Sequence, residues 1–335
     1  MTFSSDASGP SRRDLMKGLA GGVAAASLTG ALAAPAAAKA PFAAKQAPGF
    51  YRRKVGDIEV TALLDGTISF DQATALSLVP KASVEAIKPL NDKYFVPASG
   101  TITLPVNAYV VNTGDKLVLV DTGASDKFGP TAGALPAALA AAGFDPAAFD
   151  MILLTHNHPD HSAGLIDAKG EAVFPNAELV LAETEQKFWS DSATRAKLPD
   201  SQKGFVDSAA AALKPYAART RLIANATDVA PGLSSLALPG HTPGHTGYRI
   251  ASGNQQLLII GDAVHIAEWM FDKPDWTMAF DIDQELSAAT RKKLFDMVAT
   301  DRVLIAGMHM PFPGFGYVGR EGNAYRYIPA SWAPL

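Results

Sequence analysis

The 335-residue chain has no cysteine, so no disulfide can brace it, and none is needed even in an oxidising compartment. It has no basic surplus either. The formal net charge is −4, and residues 1–38 carry three basic and two acidic side chains, which leaves −5 on the remainder. A surface of that sign is unsuited to a phosphate backbone and argues against nucleic acid as a partner. Charged residues make up only 19% of the chain against 48% hydrophobic ones. The roughly 297 residues beyond position 38 can therefore bury a substantial core as one large domain, and small, neutral, apolar substrates suit this balance. No internal repeat recurs at a fixed period. The N-terminal Gly18–Ala34 stretch is rich in Ala and Gly rather than Leu and Ile, so no stable membrane insertion is expected.

What the chain does have is concentrated between Thr155 and Gly164, which reads THNHPDHSAG. Three of its seven histidines fall within six residues there, at His156, His158 and His161, with Asp160 among them. The cluster follows the apolar run Met151–Leu154, which reads as a buried strand, and Pro159 discourages the loop from continuing as a regular element. Imidazole and carboxylate are ligands suited to zinc and similar divalent ions. Three later strand patterns also end in a His or an Asp. Leu233–Leu238 leads into PGHTPGHTG with His241 and, as a weaker candidate, His245; Leu257–Ile260 leads into Asp262; Val303–Ala306 leads into His309. Each run is followed by a glycine-assisted turn, which places all of these groups at one sheet edge.

The order His-x-His-x-Asp-His, His, Asp, His resembles the metallo-β-lactamase superfamily along the whole chain beyond the N-terminal segment. The resemblance implies an αββα sandwich, a mixed α/β fold in a single domain covering 39–335; the residue patterns alone show only mixed α and β. It assigns His156, His158 and His241 to one metal, Asp160, His161 and His309 to a second, and Asp262 as the bridge. Two divalent ions are implied, zinc first, with manganese, cobalt or iron as chemically acceptable alternatives. Two subclasses of zinc β-lactamases use cysteine where this chain has Asp262, so β-lactam hydrolysis is disfavoured. A finer resemblance, to the methyl parathion hydrolase group with its lactonase and aryl-esterase relatives, rests on APGFYRRKVGDIEVTALLDGT, on VFPN at 173–176, on the Phe188–Trp189 pair and on FPGFGYVGREGNAYRYIPASW. It implies an aromatic pocket from Phe128, Trp189, Phe205 and Phe280, and a homodimer.

The expected chemistry is hydrolysis by metal-held hydroxide, with Asp160, Asp262 and His265 as the catalytic side chains. His265 and Phe280 stand where the organophosphate specialists of that group carry an aliphatic and a smaller residue, so lactones or aryl esters are the expected main substrates. A dedicated phosphotriesterase, an N-acyl homoserine lactonase and a non-catalytic exported zinc-binding protein remain the alternatives. Asp121, in VDTGA, is expected to support a ligand histidine. Trp269, Phe271 and Trp276 are open between a pocket rim and a dimer contact. Ser11–Lys17 (SRRDLMK) followed by the Ala-rich stretch and AAPAAAKA resembles a twin-arginine export signal over residues 1–38, which implies the bacterial periplasm. Other expected elements are strands at Ile58–Leu64, Val106–Val111 and Leu117–Val120, and helices at Pro130–Ala142, Glu183–Ser190, Phe205–Ala218 and Gln284–Ala299.

Overall fold

Strict alternation along short apolar strands sends neighbouring side chains to opposite faces, and here both faces are buried. The computed structural model describes residues 40, 42–97, 100–224 and 226–335. Residues 1–46 and 47–335 form separate units, and only the second is described below; the export signal expected at 1–38 lies outside the described residues. No described helix is long and apolar enough to cross a membrane.

Seven strands form a first sheet in sequential order: β1 (Phe50–Val55), β2 (Ile58–Asp71), β3 (Thr101–Asn112), β4 (Leu117–Val120), β5 (Met151–Leu153), β6 (Glu178–Ala182) and β7 (Thr220–Ile223). Seven more form the second: β8 (Asp228–Ala230), β9 (Leu233–Ala237), β10 (Thr246–Ser252), β11 (Gln255–Ile259), β12 (Leu304–Ala306), β13 (Phe315–Glu321) and β14 (Ala324–Pro329). The helices are α1 (Gln72–Leu78), α2 (Val84–Tyr94), α3 (Leu135–Ala142), α4 (Pro159–Ser162), α5 (Glu183–Ser190), α6 (Ser192–Lys197), α7 (Asp200–Leu213), α8 (Ala267–Met270) and α9 (Gln284–Thr300).

Val118, Val120 and Leu153 of the first sheet meet Leu257, Ile259 and Leu304 of the second in a central core. Leu119, Ile152, Leu179 and Leu181 turn the other way and pack with Leu135, Ala138 and Leu139 of α3. Leu258, Ile260 and Ile305 do the same beneath Leu294, Phe295 and Val298 of α9. The result is helix, sheet, sheet, helix, as the resemblance implied.

Three boundaries differ for physical reasons. The strand expected at Ile58–Leu64 runs on to Asp71 as β2, because Asp65 and Gly66 form a bulge with a register shift between Leu64 and Gly66. Gly66 sits at φ 151°, where a side chain would strike the Thr131 carbonyl. The freed Asp65 carboxylate accepts from Ala124 N, Gly133 N and Leu135 N, and this delays α3 to Leu135 rather than Pro130. The stretch between the helices expected at Glu183–Ser190 and Phe205–Ala218 is helical as well, since Asp191 caps α6 through Ala193 N and Thr194 N and α7 starts at Asp200. Trp269, Phe271 and Trp276, expected at a rim or a dimer contact, are buried in the core under α9.

Candidate dinuclear metal centre

All the ligand-bearing segments leave their strands at one edge. The chain after β5 carries His156 and His158, and the short α4 carries Asp160 and His161; His158 is its N-cap and Pro159 its first residue, a position where the missing N–H costs nothing. From the second sheet come His241, between β9 and β10, Asp262 after β11 and His309 after β12. His156 Nε2, His158 Nδ1 and His241 Nε2 stand 2.9, 2.9 and 3.1 Å apart. Three ring nitrogens so close have few productive hydrogen bonds to share. They lie near the ~3.3 Å edge expected when imidazoles surround one zinc-sized ion at about 2.0–2.1 Å. A second set, Asp160, His161, Asp262 and His309, adjoins it. Asp262 Oδ2 lies 3.3 Å from His161 Nε2, 3.2 Å from His309 Nε2, 3.5 Å from His241 Nε2 and 3.8 Å from His156 Nε2, a position between both sets.

Most of the ligand histidines are held by their other nitrogen. His156 Nδ1 donates to Thr155 Oγ1, His161 Nδ1 to Asp121 Oδ2, His241 Nδ1 to Asp281 Oδ1 and His309 Nδ1 to the Pro105 carbonyl. Such partners fix tautomer and ring plane. Asp121, at φ 58°, also accepts from Thr155 N and Oγ1. His245, the weaker candidate ligand, is committed elsewhere: Nδ1 donates to Leu238 O and Nε2 accepts from Asp262 N. It positions the bridging residue and has no nitrogen left for a metal. Gly261 is required there, because at φ 53° a Cβ would lie 2.3 Å from His245 Nε2.

Two carboxylates absent from the sequence reading complete the frame. Asp281 orients His241. Glu185 of α5, fully buried, accepts from Asn157 N (2.9 Å), Trp189 Nε1 (2.6 Å), Thr242 Oγ1 (2.7 Å) and Gly244 N (3.0 Å). It ties the His156–His158 segment to the His241 loop.

The electrostatics ask for added positive charge. Burial holds His156 and His158 well below the ordinary imidazole value. Burial also opposes charge on His161 and His309, but Asp262 and Asp160 outweigh it, raising His161 well above the ordinary value and His309 to about 10. Burial would raise Asp160 and Asp262, yet the neighbouring histidines, His161 foremost, hold both well below the carboxylate range. Protons on His161 and His309 thus supply charge that a divalent ion can supply instead. His161 Nε2 and Asp262 Oδ1 are buried without a hydrogen-bond partner. Donor types, spacing and orphaned atoms all fit divalent cations.

A cavity of about 70 Å³ opens onto these groups, lined by Ile68, Phe70, Leu104, Phe128, Phe205 and Phe280 around His158, Asp160, Asp262 and His309. Phe128, Phe205 and Phe280 stand in its wall as expected. Trp189 does not: only 2% exposed, it packs edge-on behind His158 at 5.3 Å with its N–H spent on Glu185. His265, 1% exposed, lies against Phe280 and His309 with Nε2 3.1 Å from Asp262 Oδ2. Burial lowers its pKa to about 4 despite Asp262.

Two stacked sheets between helices, with buried His and Asp side chains drawn into adjoining cation sites at one edge, define a metal-dependent hydrolase of the αββα class. The chain belongs to the metallo-beta-lactamase superfamily, whose family model matches residues 101–309. Among solved structures, it is 34% identical to the hydrolase AbOPH of the beta lactamase superfamily, over 87% of this chain and 100% of that one, with a TM-score of 0.80. It is 28% identical to AidC, a dizinc quorum-quenching lactonase in complex with a product, N-hexanoyl-L-homoserine, over 86% and 99%, again at 0.80. A probable metal-dependent hydrolase from Staphylococcus aureus shares the fold at 22% identity and a TM-score of 0.66, over 83% and 99%. No curated protein matches.

Proposed function

We propose that this protein is a dinuclear metal hydrolase acting chiefly on lactones and aryl esters, with organophosphate triesters as secondary substrates. The observation that carries the reading is the Asp262 carboxylate shared between two cation sites at the floor of a cavity with apolar, largely aromatic walls. When bound, two divalent ions, zinc first, lower the pKa of a shared water towards neutrality and polarise the acyl or phosphoryl oxygen. His156, His158 and His241 would hold one ion, Asp160, His161 and His309 the other, and Asp262 would be shared between them. Asp160, which reaches the cavity, would orient that water and accept its proton. Phe128, Phe205 and Phe280 exclude bulk water and grip a flat, neutral substrate. His265 lies behind Phe280 of the cavity wall, and only when its ring is turned into the cavity and free of any ion would it hydrogen-bond a departing alkoxide, help that a phenolate leaving group does not need. Similarity to a dizinc lactonase along nearly its whole length supports the lactone preference.

The proposed setting is the bacterial periplasm, from the twin-arginine pattern, and the proposed assembly a homodimer. The test is kcat/KM of the zinc-loaded protein on dihydrocoumarin, N-hexanoyl homoserine lactone and methyl parathion, with Asp262→Ala as control. The lactones are expected to win by at least tenfold and the variant to be inactive. A triester preference would make the protein a dedicated phosphotriesterase, and no turnover with two ions bound would make it a binding protein.

A further inference from the structure

His265 is buried to 1% exposure, yet neither Nδ1 nor Nε2 has a hydrogen-bond partner, an arrangement that leaves the desolvation of two polar atoms uncompensated. Its Nε2 lies 3.1 Å from Asp262 Oδ2 but forms no hydrogen bond to it. His161 Nε2 shows the same pattern, 3.3 Å from that oxygen and unpartnered, as two ligands of one cation do when they flank each other without pointing at each other. The ligand atoms of His241, Asp262 and His265 converge within 4.8 Å, overlapping the set made with His156 and His158. One property separates His265 from the four tethered histidines. His156, His161, His241 and His309 each have Nδ1 anchored, whereas His265 has no anchor and its ring leans on Phe280 of the cavity wall. Its backbone does not share that freedom, since the buried Arg291 holds the Ala263 carbonyl.

Building on the dinuclear reading, we propose that His265 is an eighth and displaceable metal ligand: it fills a coordination position on the ion held by His241 and swings out when the carbonyl or carboxylate oxygen of a substrate or product arrives. The ligand class that displaces it is a neutral acyl oxygen or its carboxylate product.

Cobalt loaded into the full chain tests this without turnover, because visible absorption strengthens as coordination number falls. In His265→Leu and in His265→Gln, one of the two ions is expected to bind at least tenfold more weakly in a chelator competition, with stronger visible absorption at that site. The leucine is the kind of side chain found at this position in the organophosphate specialists the sequence resembles, and glutamine fills the volume should leucine disturb packing. Wild type supplies an arm that needs no variant: adding N-hexanoyl-L-homoserine should exchange one ligand for another and leave absorption strength nearly constant, while the same addition to the variants should weaken it. Two ions bound with wild-type affinity and wild-type spectra in both variants would overturn the inference and leave the dinuclear reading intact. Absorption that weakens in wild type on product addition would overturn it as well. Fewer than two cobalt ions in wild type would instead defeat the dinuclear reading on which it rests.

Discussion

Replacing Glu185 with glutamine should loosen one ion and spare the other. The carboxylate takes two hydrogen bonds on each oxygen, from Asn157 N and Trp189 Nε1 on one side and from Thr242 Oγ1 and Gly244 N on the other. An amide keeps one oxygen and can satisfy the first pair. Its NH2 then faces Thr242, whose hydroxyl can rotate to accept, and Gly244 N, which cannot. The Gly244 N–H and the amide N–H that faces it are left unpaired, together at about 1–3 kcal/mol, and the surviving bonds lose their charge assistance, roughly another 1 kcal/mol. Removing the charge returns part of this, because burial raises the Glu185 pKa and so marks the ionised form as costly. The net is about 1–3 kcal/mol, or about 2–4 °C in Tm per kcal/mol for a chain of this size. The strain falls on Asn157, between His156 and His158, and on the loop after His241, which are the three ligands of one site. Chelator competition should therefore show one ion weakened about tenfold or more and the other unchanged. Equal weakening of both, or none alongside a lowered Tm, would show that Glu185 stabilises the fold without setting ligand geometry.

Asp281→Asn should lower affinity for the same ion by about 10–100-fold, since the charge that orients His241 is lost while the side-chain volume is kept; competitive titration measures it. Arg291→Met should cost about 3–5 kcal/mol in chemical denaturation, because the guanidinium is fully buried and caps the carbonyls of Ala263, Pro274 and Trp276, which would be left unpaired. Burial and the hydrogen bond to Asp272 push the Tyr94 phenol up to about 12, above its ordinary value of about 10. The folded state holds that proton more tightly than the unfolded one, so its stabilisation is complete below pH ~10 and lost as the pH climbs towards ~12. Tyr94→Phe should flatten the fall in Tm across that window; an unchanged slope would refute the assignment.

The ligands were legible because each stands a few residues beyond an apolar strand, where local pattern reveals both the strand and its exit. The groups that aim them were not. Asp281 lies 40 residues from His241, and Glu185 lies 28 residues from Asn157 and 57 from Thr242; no spacing rule connects them, and the two acids of ETEQKFW look like a solvated helix face. Aromatic residues were equally opaque. Phe128 and Trp189 read alike in sequence, and only the tertiary course of α5 puts one in the cavity wall and the other behind His158. The strand expected to stop at Leu64 continues to Asp71 because a bulge at Asp65-Gly66 absorbs the break in its apolar pattern. His245 misled for a different reason, since a histidine beside a ligand has the composition of a ligand.

The division of the ligands between the sheets has a mechanical meaning. His156, His158, Asp160 and His161 hang from the first sheet, and His241, Asp262 and His309 from the second, so neither half of the chain contains a complete set for either ion. Each ion, bound as proposed, would be a rivet driven through the joint between the halves. At a free concentration one hundred times its dissociation constant, each contributes ~2.7 kcal/mol against separation of the sheets. Starved of metal, the protein would lose more than the proposed chemistry: the sandwich would begin to part along the seam where its two halves meet.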